Sequence, residues 1–574
     1  MGVTLGGSLT QVLGDGGEIE LRRQVRDRLA AVLSGLGVPG TPVVHVGKHD
    51  GARALQLRVH QKLVPFPPGL MKRIWHATCP DQLAEVCLAS PEGSPGFPDA
   101  WLHSHASASL DEGSGRLVLI RYLAELVSAA VARRASCVLP PSPGDGFFPD
   151  TVAPFVPELL QLGISLNRAP EIEQEVERAA LGGLPDSPWL REEMFARVAP
   201  DAIEVMVAPD HLIRAGLGTL RPGRTSVYDD RVSQALQTAF ASVEEALYSE
   251  LGIVLPDLVF VADDELTRGR LAVRLNDRTN PPFPTPRPGE HFVMDGSVEA
   301  LRGVGIDARP ALHPRDLQTY AVIDSADAEA TSAAGFTIWD AAEFMAYCVA
   351  FEVRRAAAWL LTMHYVEWKL AQLEESHPQL VRLAREEGRI APEELTYVLR
   401  ELLREALPVS DLRLIVDQLL SYQPLPVDPD TDHLFDVRHP VARLAERSDV
   451  RGPNLVEAVR AGMKNQIGHK VGYGTGTIVV YLLDSGVEAA AAELSEDDGE
   501  ASERLAALLR ELCWAELSHL PPLARRPAIL TTAGARRWVR RALEPELPQM
   551  PVLSYLELPH DINVMPIARI APES

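Results

Sequence analysis

One succession of local signals occurs twice in this 574-residue chain, and any fold it adopts must house both occurrences. A helical run over Leu21–Leu36 leads into Leu36-Gly37-Val38-Pro39 and then Val43-Val44-His45-Val46. An alternating segment, Leu55-Gln56-Leu57-Arg58-Val59, follows and ends at Pro65-Phe66-Pro67. Much later, Val232–Leu251 leads into Leu251-Gly252-Ile253 and Leu258-Val259-Phe260-Val261. Leu271-Ala272-Val273-Arg274-Leu275 comes next, and the unit ends at Pro282-Phe283-Pro284. Helix, glycine stop, strand, alternating strand and Pro-Phe-Pro keep one order. Leu117–Leu139 matches Phe336–Leu361 in the same way, and Phe155–Val176 matches Val398–Leu420. Two readings compete: a diverged internal duplication, or chance likeness between two α/β units. The duplication predicts a degenerate copy over residues 1–181 that stops before a final domain.

The chain is too long for one core, since domains run to about 150 residues each. Gly182–Trp189 and Pro200 mark a linker over 182–201. Residues 202–334 read as a first α/β domain with a small inserted subdomain, around which Asn280–Pro314 forms an irregular, Pro- and Gly-rich loop. Residues 335–468 read as a helical domain, with two helices separated at Pro408 and Ser410 or Asp411 as the second helix's N-cap. An acidic loop, 422–451, interrupts it. Residues 469–574 alternate strand and helix: Ile478–Leu483, Ala501–Leu517, Ala528–Thr531, Ala535–Leu543 and Val552–Leu556. That order predicts a small α/β sandwich with a largely parallel sheet. The expected class is therefore mixed α/β and multidomain.

A formal charge of −24 repels phosphate backbones and anionic lipids, which argues against nucleic-acid or membrane-surface binding. Cys79, Cys87, Cys137, Cys348 and Cys513 show neither a C-x-x-C spacing nor an even count, as in a reducing compartment. The first ten residues lack a signal-peptide pattern, and the most apolar helical runs are broken by charge, so no direct membrane span is expected. Gly472-Tyr473-Gly474-Thr475-Gly476 leads into a strand, whereas a phosphate loop needs a helix N-terminus behind it. Asp428-Pro429-Asp430-Thr431-Asp432 opens like a calcium loop, but His433 and His439 stand where glycine and glutamate are required. His103 and His105 have no third ligand at a metal-site spacing. No catalytic residue, metal or cofactor is expected.

Several segments resemble the cytoplasmic part of the flagellar and type III secretion export-gate proteins, the FHIPEP family. Leu251-Gly252-Ile253 with Leu255-Pro256 resembles the family's "LGI-x-x-P" segment. Ala334-Gly335-Phe336-Thr337-Ile338-Trp339-Asp340 resembles "GYTVVD", and His377-Pro378-Gln379-Leu380-Val381 resembles a helix ending in "PKLV". Val398–Glu405 with Val409–Arg413 resembles "VLQNLLxEGVSIRDLR". Pro527–Thr531, Arg536–Leu543 and Pro551–Pro559 resemble the family's last unit and closing tail. The resemblance covers Ala202–Ser574; the family's membrane half is expected to have no counterpart in this sequence, a degenerate soluble copy being expected in its place.

The resemblance implies four parts: an α/β domain, a ferredoxin-like insertion, a helical domain and a C-terminal α/β domain. It also implies docking of proteins, namely secretion chaperone–substrate complexes or membrane export components, together with a homo-oligomeric ring and no catalysis. The expected location is cytoplasmic, peripheral to an inner-membrane export apparatus. The family's docking depression includes the threonine of "GYTVVD", which places Phe336 and Thr337 as the candidate protein-binding residues here. A bland role for the same pair is a buried aromatic and a helix N-cap. The alternatives for the whole chain are a scaffold or regulator unrelated to secretion, and an enzyme with a pocket between the duplicated halves.

Overall fold

The computed structural model describes residues 2–38, 42–49, 55–59, 62–63, 155–181, 202–208, 224–263, 270–280, 283–286, 289–312, 319–386, 390–422, 451–494, 499–518, 527–544 and 550–571, with a few single positions between them. Pro65-Phe66-Pro67, His103, His105, Asp428–Asp432 and three of the cysteines lie outside the described residues. So do most of Leu117–Leu139, of the 182–201 linker and of the 422–451 loop. Two compact units form: Met1–Ser249 with Val254–Ala356, and Glu250–Ile253 with Ala357–Ser574.

The first unit opens with β1 (Gly2–Gly6), α1 (Gly7–Gly35), β2 (His45–His49), β3 (Leu55–Val59) and β4 (Lys62–Leu63). The sheet order is β2-β1-β3-β4, with β1 parallel to β2 and antiparallel to β3. Along α1, Leu21, Val25, Leu29 and Leu33 are buried at four-residue intervals, one apolar stripe of an α-helix that continues into Leu36 just past its end. Its end packs on α2 (Val156–Leu162) and α3 (Ala169–Leu181) through Leu33, Leu36, Leu159, Leu160, Ile164 and Ile172.

A second sheet follows from β5 (Ala202–Val207), β6 (Arg224–Ser226), α4 (Gln234–Leu251), β7 (Asp257–Ala262), β8 (Arg270–Leu275), β9 (Arg278–Thr279) and β10 (Phe283–Pro284). Its order is β10-β8-β5-β7-β6, with β9 paired to β8. All of β5 is buried, and five of its six residues are apolar, as expected of a strand covered on both faces. The one charge in it, Glu204, accepts from Arg224 Nε at 2.8 Å and Arg274 Nη1 at 2.9 Å, which offsets its loss of water.

The third sheet comprises β11 (Glu290–Val293), α5 (Val298–Gly303), β12 (Arg309–Leu312), β13 (Thr319–Asp324), α6 (Ala328–Ala333) and β14 (Ile338–Trp339). Its order is β12-β13-β11-β14, and every pairing is antiparallel. The stretch Asn280–Pro314, expected as an irregular loop, thus supplies β10, β11, α5 and β12. Elements of two to six residues are too short for apolar periodicity to register over an 11–18-residue window. The long helix α7 (Ala341–Leu360) follows.

The second unit holds α8 (Met363–Ser376), α9 (Pro378–Glu386), α10 (Pro392–Arg404), α11 (Leu412–Ser421), α12 (Arg451–Gly462) and α13 (Lys464–Val471). Pro408 lies in the joint between α10 and α11, and Asp411 caps α11 by accepting from Leu414 N at 3.0 Å. Then come β15 (Thr477–Leu483), α14 (Ser485–Glu493), α15 (Gly499–Ser518), β16 (Ala528–Thr531), α16 (Ala533–Leu543), β17 (Val552–Ser554) and β18 (Asn563–Ile570). The sheet, ordered β17-β16-β15-β18, is parallel throughout.

Five buried or nearly buried charges tie this unit's helices to its tail. Arg460 on α12 donates to both oxygens of Glu557, at 3.0 and 2.9 Å, just after β17. Arg536 on α16 donates to Glu457 on α12 and to both oxygens of Glu405, at 2.9 and 3.0 Å. Arg460 Nη1 lies 3.1 Å from Glu405 Oε2, and Arg536 Nε lies 3.6 Å from Glu557 Oε1. Two guanidiniums therefore face three carboxyls. Burial pushes Glu405 up, but Arg460, Arg536 and Arg540 outweigh it and hold the carboxyl at about 2. Burial pushes Glu457 up as well, and there the guanidiniums do not offset it, with Glu557 adding to the rise.

Candidate docking site

The candidate pair Phe336 and Thr337 lies where α6 turns into β14. The turn closes through Gly335, at φ +90°, with Phe336 N–H donating to Thr331 C=O at 3.2 Å. Gly335 tolerates that left-handed backbone because it has no Cβ. Thr337 C=O then accepts from Met294 N–H at 2.9 Å, and Ile338 and Trp339 pair with Val293 and Phe292.

Side chains alternate along such a segment. Phe336 and Ile338 pack against the small-sheet core of Val293, Leu301, Ile306, Ala321 and Ile323. Phe336 also lies on the β11–α5 loop: a Cβ at Gly296 would sit 2.9 Å from its ring. Phe336 as a whole is half-buried. Thr337 is exposed. Trp339 packs at a tilt against Tyr347 of α7 with ring centroids 4.6 Å apart, and one turn earlier Phe292 packs at a tilt against Phe344 at 4.7 Å.

Thr337 does not cap a helix. The first turn of α7 is capped by Asp340 and Glu343, each accepting from the other's backbone N–H, at 2.8 and 3.0 Å. Thr337 is instead held by Asp295, whose Oδ1 accepts from the Thr337 N–H at 2.8 Å and whose Oδ2 accepts from the hydroxyl at 2.9 Å. The hydroxyl proton is thereby committed, leaving a methyl group and an acceptor lone pair available to a partner. Asp295 and Gly296 were not among the candidate residues, and Trp339 was read only as part of the motif. The first two lie 41 and 40 residues before Phe336, with no local signal linking them to it.

The Gly472–Gly476 loop offers no anion cradle. The N–H groups of Gly472, Tyr473, Gly474 and Thr475 donate within the loop and α13, to Gly468, Lys470, His469 and Gly472. Among the described residues no three His, Cys, Asp or Glu side chains converge as metal ligands. No described helix is long and apolar enough to cross a membrane.

The FHIPEP family pattern matches residues 217–563, more than half of the chain. The chain belongs to the FHIPEP family. Within it, the hypersensitivity response secretion protein HrcV of Ralstonia nicotianae is 26% identical over 345 residues, covering 58% of this chain and 45% of HrcV. The low calcium response locus protein D of Yersinia pestis is 22% identical over 346 residues, with coverage of 58% and 45%. This FHIPEP chain therefore spans less than half the length of these relatives. Among solved structures, Chlamydia pneumoniae CdsV in its complex with CdsO shares the fold at TM-score 0.51 and 20% identity, covering 64% of this chain and 97% of that one.

Proposed function

We propose that this FHIPEP protein acts in type III-like protein secretion by docking partner proteins, with the Thr337 methyl, the half-buried Phe336 and the Asp295 clamp as the contact patch. The observation that carries this is the pair of hydrogen bonds fixing an exposed threonine on a carboxylate, at 2.8 and 2.9 Å. A pre-positioned apolar tip costs a partner little ordering entropy, and part-covered aromatics anchor interfaces well. The partners are secretion chaperone–substrate complexes or membrane export components, met in the cytoplasm at the periphery of an export apparatus. The small sheet, with its β-α-β-β-α-β order, serves as the ferredoxin-like part that presents the patch. No chemistry is assigned to the patch.

Membership of the family and the secretion role carried in the name of HrcV support the placement. Assembly with copies of itself into a ring belongs to the same proposal, and light scattering that returns only monomer at micromolar concentration would count against it. The function is tested by affinity purification from the native host with wild type and Thr337→Arg. Wild type should recover export components or secretion chaperones, and the variant should recover at least about tenfold less. Recovery of neither class by wild type would turn the reading to a scaffold unrelated to secretion.

A further inference from the structure

Two places in the structure repeat one construction, residue for residue. The β1 strand pairs parallel with β2 and antiparallel with β3, as β5 pairs parallel with β7 and antiparallel with β8. The hairpin β3–β4 closes Val59 on Lys62, and β8–β9 closes Leu275 on Arg278. Beyond α1 and α4 stand left-handed glycines, Gly37 at φ +70° and Gly252 at φ +79°. Leu36 C=O accepts from Leu166 N–H at 2.9 Å, and Leu251 C=O accepts from Val409 N–H at 2.9 Å. A Cβ on Gly37 would lie 2.4 Å from Asn167 N, and one on Gly252 would lie 2.3 Å from Ser410 N.

The helices carrying those acceptor turns also match. The α2 helix ends at left-handed Gly163, with Ile164 N–H on Leu159 C=O at 2.8 Å. The α10 helix ends at left-handed Ala406, with Leu407 N–H on Leu402 C=O at 2.9 Å. Leu159, Gly163, Leu166 and Asn167 thus correspond to Leu402, Ala406, Val409 and Ser410, at one constant offset. Chance likeness between two α/β units does not reproduce register, cap geometry and a bridging hydrogen bond together.

The two turns differ in what they meet. Around the first, Gly163 C=O accepts from Asp277 N–H at 3.0 Å, and Leu162 C=O from Asn276 Nδ2 at 2.6 Å. Asp277 Oδ2 accepts from Ser165 N–H at 2.9 Å and lies 3.4 Å from Arg168 Nη1. The approach is close: a Cβ on Gly163 would be 3.1 Å from Arg278 Cβ. The constant offset puts Pro408, which has no N–H, in the place of Ser165, and Asp411 in the place of Arg168. Both donors that hold the Asp277 carboxylate are therefore missing from the second turn, and a like charge replaces one of them.

We infer that residues 1–181 are a second, shortened copy of the module running from β5 to α11, and that the β8–β9 hairpin is a receptor reserved for that copy's α2–α3 turn. The contact joins unlike surfaces of two like modules, head to tail. Pro408 and Asp411 keep this one contact from forming between the α10–α11 turn of one chain and the β8–β9 hairpin of another, so a ring of chains would have to close through other surfaces.

Hydrogen exchange on the full chain tests this. Asp277→Arg should raise exchange across 159–181 by at least about tenfold while 451–571 stays unchanged. Asp277→Arg with Arg168→Asp should bring it back to within about threefold of wild type. Arg168→Asp with Ser165→Pro, which writes the second turn's code into the first, should release the segment with Asp277 intact. Wild-type protection should not vary between about 1 and about 50 micromolar protein. Unchanged exchange in Asp277→Arg, no recovery in the swapped pair, or protection that grows with concentration would each overturn the assignment.

Discussion

Replacing Arg536 by methionine should unfold the C-terminal unit preferentially. Its guanidinium touches Glu457, Glu405 and Glu557, all of which are largely covered. Methionine keeps the volume of the stem and removes the charge, so three carboxyls remain with Arg460, and with Arg540 acting on Glu405. Breaking a buried ion pair from one side costs about 3–5 kcal/mol, because the surviving charge stays buried without its partner. That is a large share of the roughly 5–15 kcal/mol that holds a domain together. For a unit of this size the melting point should fall by about 6–20 °C. Calorimetry or urea unfolding with tryptophan fluorescence would read it. The control is Arg536→Met with Glu457→Leu, which removes the closest pair together and should recover most of the loss, since apolar replacement of a whole buried pair is often neutral. A loss below about 1 kcal/mol in Arg536→Met, or no recovery in the double variant, would refute the reasoning.

Three further outcomes follow from single contacts. The same network sets a pH profile: Glu457, raised, contributes stability that is present at low pH and lost as pH rises through its folded value. Glu405, lowered from 4.5 to about 2, contributes on the order of 3 kcal/mol that is lost as pH falls through that window. Denaturant titrations should therefore show stability rising on mild acidification and collapsing below about pH 4, and a flat profile in Glu405→Gln with Glu457→Gln would confirm the source. Gly252→Ala should cost more than about 2 kcal/mol, since the new methyl meets backbone at 2.3 Å, whereas Gly305→Ala, at φ +82° with nothing within 4 Å, should cost only the backbone strain of about 1–2 kcal/mol. Asp295→Ala should weaken partner binding about as much as Thr337→Ala, and a double-mutant cycle showing strict additivity would separate the two residues.

Much of the C-terminal unit was legible beforehand. The apolar runs at 478–483 and 528–531 alternate in order with the helix at 535–543, and that order marked them as strands, while Asp411 beside Pro408 fixed a helix start. The motif Arg536–Leu543 and the tail Pro551–Pro559 resembled a family, yet nothing local said why. Arg536 and Glu557 turn out to belong to one buried network with residues 79 to 131 positions away in sequence. The small inserted subdomain was expected, but its strands within 280–314 were read as irregular, because they are short and their pairings distant.

What the sequence alone determined was local: helix stripes, cap residues, left-handed glycines and the order in which they recur, all set by neighbours a few residues apart. Tertiary structure decided which groups meet. It turned Phe336 onto the small core and Thr337 toward Asp295, and it set Asp277 on the turn at Gly163. Those choices depend on hydrogen bonds and packing across long separations, and such contacts exist only once the chain has closed around them.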